Sequence, residues 1–321
     1  MAGYKLPDFD NLPAIQGMPQ GCAWGVFDTD GKKDVFGTIN LITPDIVTAA
    51  ASEIQEGISV SLNWPIGAIE TPSFLRKGLE HKVIDFRDSA MPLHGFDDEP
   101  TGTAYNGTKG SIEAFQQNFG DEDKDQKHPT LDHWHSRGCL VARGVLIDYK
   151  AWADHKGVQY DLFDAHRIQI SEIEQVAADQ GVKFRQGDVL IIRTGFTEAL
   201  STMTGQQQSE ALSTYRSIGV DGSKESAKWF WNKHFAAVAG DMIAFEAMPP
   251  LNDDGSEGAV SGLVLHQYFL AMFGMPIGEL WDLEALSKTC SRLGRYSFML
   301  TSSPLNVPGS IGSPPNAIAI F

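Results

Sequence analysis

The sequence predicts an α/β fold in which helices cover both faces of a central sheet. Several strand-like stretches are apolar at nearly every position, which is typical of strands that are buried on both sides. Segments with helix-capping residues lie between them, and strands that alternate with helices indicate an α/β arrangement. The 321 residues contain no repeat and no linker-like stretch. We therefore predict one domain over residues 1–321.

Capping residues mark the beginnings of two helices. Thr43 is a favoured N-cap residue and Pro44 suits the first helical position, so a helix is predicted from here to Gly57. Ser171 and Glu174 have the spacing of a capping box, which places a second helix N-terminus at Ser171.

Nearly continuous apolar runs mark the strands. These runs are residues 139–148, 189–192, 235–238 and 296–301. Turn-forming pairs flank two of them, with Gly187-Asp188 before one strand and Gly240-Asp241 after another. The runs therefore define the predicted sheet.

Composition restricts the possible partners and compartment. The net charge is −16, from 25 Lys and Arg against 41 Asp and Glu. Nucleic acids and anionic membranes select basic surfaces, so neither is expected as a partner. Three cysteines without a CxxC pair argue against a disulfide framework. Residues 1–8 contain no apolar signal region, and no apolar run approaches the roughly 20 residues that span a bilayer. We expect a soluble, cytoplasmic protein.

Common cofactor and catalytic motifs are absent. The sequence contains no GxGxxG or GxxxxGK[ST] phosphate-binding motif, no GxSxG nucleophile elbow and no HExxH zinc motif. The most familiar dehydrogenases, nucleotidases, serine hydrolases and zinc proteases are thereby disfavoured, which directs attention to individual polar side chains.

His266 and Glu279 are the most informative of these side chains. His266 lies in the helix-like segment 263–273, on the face that also carries Leu270 and Phe273. Glu279 follows in a short extended piece between helices. An imidazole and a carboxylate are common donors to zinc or manganese. The alternatives are a core histidine with one satisfied ring nitrogen and a glutamate that caps the next helix.

Asp241 and His133 are further candidates. Asp241 follows a buried strand, where polar groups often line the site of an α/β fold, although a turn aspartate after Gly240 is an equally good explanation. His133 and His135 would face the same side of an extended segment and could bind zinc together. The alternative is a loop with solvated rings that leads into the next strand.

Short motifs over most of the chain are specific when taken together. They are Trp24-Gly25, GTINLITP at 37–44, Asn63-Trp64-Pro65, DHWHSRG at 132–138, RGVLID at 143–148, GDVLIIRTG at 187–195, Ala239-Gly240-Asp241, the stretch 266–279, SPLNVP at 303–308 and GSPP at 312–315. This set resembles the cyclase family of metal-dependent hydrolases, which includes bacterial kynurenine formamidase and isatin hydrolase. The similarity is greatest to the fungal branch of that family.

The resemblance implies a compact swivelling β/α domain with a central mixed sheet, often assembled as a homo-oligomer. It implies a divalent metal, zinc or manganese, and attack of water on an amide or lactam of a small aromatic substrate. N-formylkynurenine going to kynurenine and formate, in tryptophan catabolism, is the model reaction. His266 and Glu279 match metal ligands of the family, and Asp241 matches a site-lining aspartate. His133 is the second candidate for the substrate pocket.

The sequence departs from the family at the signature HxGTHxDxPxH, which carries most metal ligands and a catalytic histidine. Neither this form nor the fungal form with glutamine occurs, and the chain runs from Glu99 directly into residues 100–104. Either the transcript has lost a stretch or the protein is a degenerate family member. Two protein ligands hold a metal weakly, since a catalytic zinc normally has three. The side chains that could substitute are His94, Asp97, Asp98 and His133.

Two classes of function follow from the sequence. The first is an amide or lactam hydrolase of the formamidase type, for which no general base can be assigned because the family's candidate lies in the absent segment. The second is a non-catalytic relative that binds a small molecule or further copies of itself. A cyclase or lyase of secondary metabolism that uses the same pocket is a third possibility.

Overall fold

The computed structural model describes residues 5–70, 72, 78, 103–104, 108–109, 130–252 and 254–321. The strands in chain order are β1 (Ser59–Ser61), β2 (Thr103–Ala104), β3 (Thr108–Lys109), β4 (Leu140–Asp148), β5 (Arg167–Ile168), β6 (Val189–Arg193), β7 (Gly219–Val220), β8 (Ala237–Gly240), β9 (Ile277–Gly278), β10 (Ser297–Ser302) and β11 (Ile318–Ile320). Seven of them form one mixed sheet in the order β1-β11-β10-β4-β6-β8-β9. The predicted α/β fold with a central mixed sheet is confirmed.

The sheet is parallel on one side and antiparallel on the other. Strands β4, β6, β8 and β9 run parallel, whereas β10 is antiparallel to both β4 and β11, and β1 is antiparallel to β11. Every residue of β6 is buried, as is nearly all of β4. Burial on both faces explains why these strands lack the polar alternation of a half-exposed strand. The carboxyl ends of the parallel strands therefore lie along one edge of the core.

The helices are α1 (Pro44–Ala51), α2 (Asp132–Ser136), α3 (Tyr149–Lys156), α4 (Ile170–Asp179), α5 (Phe196–Thr202), α6 (Gly205–Leu212), α7 (Lys224–Lys233), α8 (Val264–His266), which continues as π-helix over Gln267–Phe273, and α9 (Glu284–Leu293). Single 3₁₀ turns occur at Phe9–Asn11, Gly37–Leu41 and Val260–Gly262. No helix that the structure describes is long and apolar enough to cross a membrane.

Side-chain caps fix several helix beginnings. The hydroxyl of Thr43 accepts a hydrogen bond from the backbone amide of Ile46, which confirms the predicted N-cap of α1. Asp148 ends β4 and caps α3, because its Oδ1 accepts from the amide of Ala151. The same oxygen accepts from Arg193 at 2.8 Å, so this cap also joins β4 to β6. The buried carboxylate of Asp148, which accepts from several donors, thus holds the carboxyl ends of β4 and β6 together.

Three boundaries differ from the sequence predictions. The N-cap of α4 is Gln169, with Glu172 completing the capping box, so the predicted N-terminus at Ser171 is wrong by two residues. Helix α1 stops at Ala51, well before Gly57. Strand β8 begins at Ala237, two residues after the predicted start at Phe235.

The helix that carries His266 closes at Gly274 as predicted, but its geometry was not foreseen. Residues after His266 follow a π-helical path, and Gly274 takes a left-handed conformation with φ 60°. The wider turn changes which positions face the core. Leu270 is 42% exposed, whereas Phe273 is fully buried, so the predicted shared apolar face of Leu270 and Phe273 is wrong.

Candidate functional site

Two parallel strands end side by side at the candidate site. In the register of β8 and β9, Ala239 is opposite Gly278, so Asp241 and Glu279 follow the two strands at the same edge of the sheet. The amide of Trp281 donates to the carbonyl of Gly240, which keeps the two chains adjacent beyond the strands. The carboxyl ends of parallel strands commonly carry the site in α/β folds.

Glu246 fixes His266 at this edge. Its side chain is completely buried, and its two oxygens accept hydrogen bonds from the backbone amides of Leu265 at 3.0 Å and His266 at 2.8 Å. The Oε1 atom also lies 2.9 Å from Nδ1 of His266. A carboxylate only accepts, so Nδ1 carries the hydrogen and donates it. The lone pair of a neutral His266 ring is therefore on Nε2.

The position of Glu246 depends on its own backbone pairing. Phe245 accepts a hydrogen bond from the amide of Val220, and Ala247 donates one to the carbonyl of Val220, both at 2.9 Å. A side chain at Gly219 would collide with this segment, because its Cβ would lie 2.2 Å from the carbonyl carbon of Glu246. The glycine thus permits the close backbone approach that places the carboxylate under α8.

His266 and Glu279 form the central pair. Nε2 of His266 lies 3.4 Å from Oε1 of Glu279, and this oxygen is buried without a hydrogen-bond partner in the described part of the chain. Burial lowers the pKa of His266, but the contacts with Glu246 and Glu279 outweigh it and raise the pKa to about 10. The two carboxylates therefore favour positive charge at Nε2, from a proton or from a metal ion.

His266 and Glu279 supply two of the ligands that a metal ion requires. Two ligand atoms about 2.0–2.2 Å from a tetrahedral zinc lie roughly 3.4 Å apart, which agrees with the Nε2–Oε1 separation of 3.4 Å. The orphaned Oε1 of Glu279 supplies a donor that needs a cation. Among the described residues, however, no group of three or more His, Cys, Asp or Glu side chains could hold a metal. The substitutes His94, Asp97 and Asp98, and the site of the missing signature, lie outside the described residues.

Asp241 is used by the turn that follows β6. It is buried and accepts from the amide and hydroxyl of Thr194 at 2.7 and 2.8 Å and from the amides of Gly195 at 2.6 Å and Phe196 at 3.1 Å. Burial raises the pKa of Asp241, although these hydrogen bonds counteract the effect. The contacts agree with the turn aspartate that the sequence offered as an alternative; a role in the substrate pocket stays a prediction.

His133 and His135 lie in α2 rather than in an extended segment, so the predicted shared orientation is wrong. The turn closes because the carbonyl of Trp134 accepts from the amide of Cys139 at 2.7 Å. His133 packs edge-on against Phe36, and its Nε2 is buried without a hydrogen-bond partner among the described residues. His135 is held separately, with Nε2 2.9 Å from the carbonyl of Pro304. Within the described ranges, His133 forms no donor group with His266 and Glu279.

Sequence reasoning missed Glu246. Its signal was present, since it is the only acidic residue in the apolar run from Met242 to Pro250. A carboxylate in such surroundings requires hydrogen-bond donors or a cation, so its partner could have been sought nearby.

Comparisons with known proteins agree with this architecture. The family model described as "putative cyclase" matches residues 115–247. A crystal structure described as a novel cyclase is 27% identical, with a TM-score of 0.70, and the match covers 94% of this chain and 99% of that one. No curated protein sequence matches significantly.

Isatin hydrolases have the same fold at lower identity. Isatin hydrolase A from Labrenzia aggregata, bound to benzyl benzoate, is 14% identical with a TM-score of 0.50 over 86% of this chain and 97% of that one. The enzyme from Ralstonia solanacearum is 15% identical with a TM-score of 0.50, over 87% and 99% of the two chains. The family match over residues 115–247, together with the structural match to the novel cyclase over nearly both full lengths, is consistent with the resemblance to the cyclase family that the sequence motifs indicate.

Proposed function

We propose that the protein is a metal-dependent hydrolase that cleaves the C–N bond of a small aromatic amide or lactam. The observation that carries the proposal is the pair of His266 Nε2 and Glu279 Oε1, 3.4 Å apart at the carboxyl end of β9. The Nδ1 atom of His266 is engaged by the buried Glu246, which leaves Nε2 as the ring nitrogen that faces Glu279 and can bind a metal in place of its proton. One imidazole and one carboxylate suit zinc or manganese.

The residues of this chain have distinct parts in that reaction. His266 and Glu279 would hold the metal, which when bound supplies a Lewis acid for the carbonyl and hydroxide at neutral pH. Glu246 orients the ring of His266 and fixes its tautomer, as outer carboxylates do for metal-binding histidines. We retain Asp241 and His133 as proposed lining residues of the pocket. Asp241 would contribute by fixing the turn after β6, from whose donors it accepts.

The proposed substrate class is an aromatic ring with an adjacent amide or cyclic amide. Hydrolysis of N-formylkynurenine adds water across the formamide C–N bond and gives kynurenine and formate, a step of tryptophan catabolism. The shared fold with isatin hydrolases supports testing a lactam as well. The three cysteines of this chain are free thiols, which suits a cytoplasmic location. The resemblance to the cyclase family suggests a homo-oligomer.

Turnover by the purified full chain tests this function. The chain would be supplied with zinc or manganese and assayed on N-formylkynurenine and isatin, beside H266A and E279Q. We expect hydrolysis by the wild type and its loss in both variants, with near-native circular dichroism in all three. A folded, metal-supplied wild type that leaves every aromatic amide and lactam intact would overturn the hydrolase proposal.

A non-catalytic small-molecule binder is the second candidate. The observation that favours it is the absence of a third His, Cys, Asp or Glu ligand among the described residues. Equilibrium dialysis with the same amides separates the candidates, because a binder would retain the substrate unchanged, whereas the hydrolase would release amine and acid.

A further inference from the structure

A polar cavity of about 220 Å³ lies at the other end of the parallel strands from His266. It is bounded by the turn after α4, the turn after α9 and the beginnings of β4 and β10. The lining residues are Arg143, Gln180, Gly181, Val182, Lys183, Arg185, Gly294, Arg295, Tyr296 and Ser297. Arg143 immediately precedes Gly144, the residue opposite Val189 at the start of β6, so the cavity faces the amino ends of the parallel strands.

Three arginines of the lining surround the carboxylate of Glu53, which does not itself line the cavity. The Oε1 of Glu53 lies 3.9 Å from Arg143 and 3.7 Å from Arg185, and its Oε2 lies 3.6 Å from Arg295. Among the described residues, the only short side-chain contact of this carboxylate is with the hydroxyl of Ser297 at 2.8 Å. The carboxylate of Glu53 therefore makes no short hydrogen bond to any of the three guanidinium groups, although its backbone carbonyl accepts from Nη1 of Arg295 at 2.6 Å.

The basic side chains differ in how much of their hydrogen-bonding capacity is used. Arg143 donates from Nε and Nη2 to Asp188 at 2.9 and 2.8 Å, and from Nη2 to the carbonyl of Lys183. In contrast, Nη2 of Arg295 is buried without a hydrogen-bond partner in the part of the chain that the structure describes, and the side chain of Arg185 is 61% exposed. Lys183 has no ion pair within the described residues. Three basic groups at this cavity thus retain free donors.

The charge balance favours an anion. Four basic side chains (Arg143, Lys183, Arg185 and Arg295) face two carboxylates (Glu53 and Asp188), in a chain whose net charge is −16. Positive charge concentrated on such an acidic molecule is unusual, and guanidinium and ammonium groups together suit the oxygens of phosphate or carboxylate. The helices α4 and α9 both end here, so their carbonyl ends reduce the positive potential without cancelling the side-chain excess.

We propose that this cavity is a binding site for a small oxyanion, with Arg185, Arg295 and Lys183 as its donors. Its volume of about 220 Å³ is below the range of drug-sized pockets, so the ligand is a free anion or the anionic end of a small metabolite. An excess of positive charge favours a dianion, and phosphate is therefore the expected ligand. The site does not depend on the hydrolase function.

Isothermal titration of the full chain with sodium phosphate tests the proposal, with sodium acetate as a second arm and sodium chloride at matched ionic strength as the control. We expect saturable phosphate binding that is absent with chloride. R185Q or K183Q should weaken binding about tenfold, because each removes one charged hydrogen bond. R292Q is the matched control, since Arg292 is exposed on α9 and does not line the cavity.

The outcomes are distinct. Binding of phosphate that weakens in R185Q but not in R292Q supports the site, and stronger binding of acetate with the same variant pattern identifies a carboxylate ligand. Equal affinity in R185Q and R292Q, or no saturable heat with either anion, overturns the proposal. In that case the basic residues only neutralise Glu53, Asp188 and the two helix ends. Because Arg185 and Lys183 are on the surface, both variants are expected to fold.

Discussion

The carboxylate of Glu246 holds both the backbone amide and the ring Nδ1 of His266, at 2.8 and 2.9 Å. One buried side chain therefore fixes the position, ring orientation and tautomer of the histidine. The free Nε2 is directed at Glu279, whose nearest oxygen is 3.4 Å away. This chain of contacts holds the ring of His266 in one orientation with Nε2 facing Glu279, which is the geometry that the proposed metal site requires.

Replacing Glu246 with glutamine should weaken metal binding. The amide oxygen of the glutamine can still accept a hydrogen bond. Its NH₂ group can only donate, so it cannot accept from the backbone amide of Leu265 or His266. We expect zinc or manganese affinity to fall about 10–100-fold, the effect typical of losing an outer carboxylate. Competition with a chelating dye would measure it. E174Q, at an exposed glutamate of α4, is the control, and a folded E246Q with wild-type affinity would contradict the assigned role.

Replacing Asp241 with asparagine should destabilise the fold. Four donors converge on this carboxylate from Thr194, Gly195 and Phe196, and an asparagine would direct its own hydrogens at some of them. The loss should be at least about 2 kcal/mol of unfolding free energy, measured in urea. Metal content of the folded fraction should not change. If D241N unfolds like the wild type, the turn is held by other contacts.

Gly37 should tolerate alanine much less well than Gly25. Both have positive φ angles, 56° and 81°, so alanine is strained at either position. A Cβ at Gly25 meets nothing within 4 Å, whereas one at Gly37 would lie 2.1 Å from the carbonyl oxygen of Gly274, which ends the helix of His266. We expect G25A to cost about 1 kcal/mol and G37A about 3 kcal/mol or more. Equal urea midpoints for the two variants would show that the Gly37–Gly274 contact is dispensable.

His234 should make stability fall in mild acid. Burial lowers its pKa below the ordinary 6.5, although Asp8 and the backbone of Trp231 act in the opposite direction. The unfolded chain therefore binds a proton more readily than the folded one, so this stabilisation is complete above pH 6.5 and decreases as the pH falls through that value. H234N removes the titration while tolerating the left-handed φ of 56° at this position.

Urea unfolding at pH 7, 6 and 5 measures that contribution. We expect the unfolding free energy of H234N to decrease less than that of the wild type over this range. Parallel pH dependences for the two proteins would mean that His234 is protonated equally well in the folded and unfolded chains.

The sheet was predictable because burial on both faces leaves a simple signature. The run that became β4 contains almost no polar residue except Arg143 and Asp148, and both are satisfied by ion pairs inside the structure. Local capping signals were less reliable. The capping box predicted at Ser171 and Glu174 does not begin α4, whose N-cap is Gln169. Strand β5 ends at Ile168, so the chain can turn into the helix at once.

The site was only partly predictable. The side chains of His266 and Glu279 could be paired from the sequence because both residues lie within one short segment, and the structure places them 3.4 Å apart. Glu246 joins them through the pairing of Phe245 and Ala247 with Val220, a contact between segments that are distant in sequence. The π-helical turn after His266 exposed Leu270. Such long-range contacts and helix irregularities have no periodic signal in a single sequence.

Metal content of the purified, dialysed chain is the most direct test of the central claim that His266 and Glu279 hold a metal. Elemental analysis would compare the wild type with H266A, E279Q and the control H155A, which alters an exposed histidine of α3. We expect about one zinc or manganese per chain in the wild type and in H155A, and loss of the metal in H266A and E279Q. A folded wild type without metal, or metal retained in both site variants, would contradict the claim.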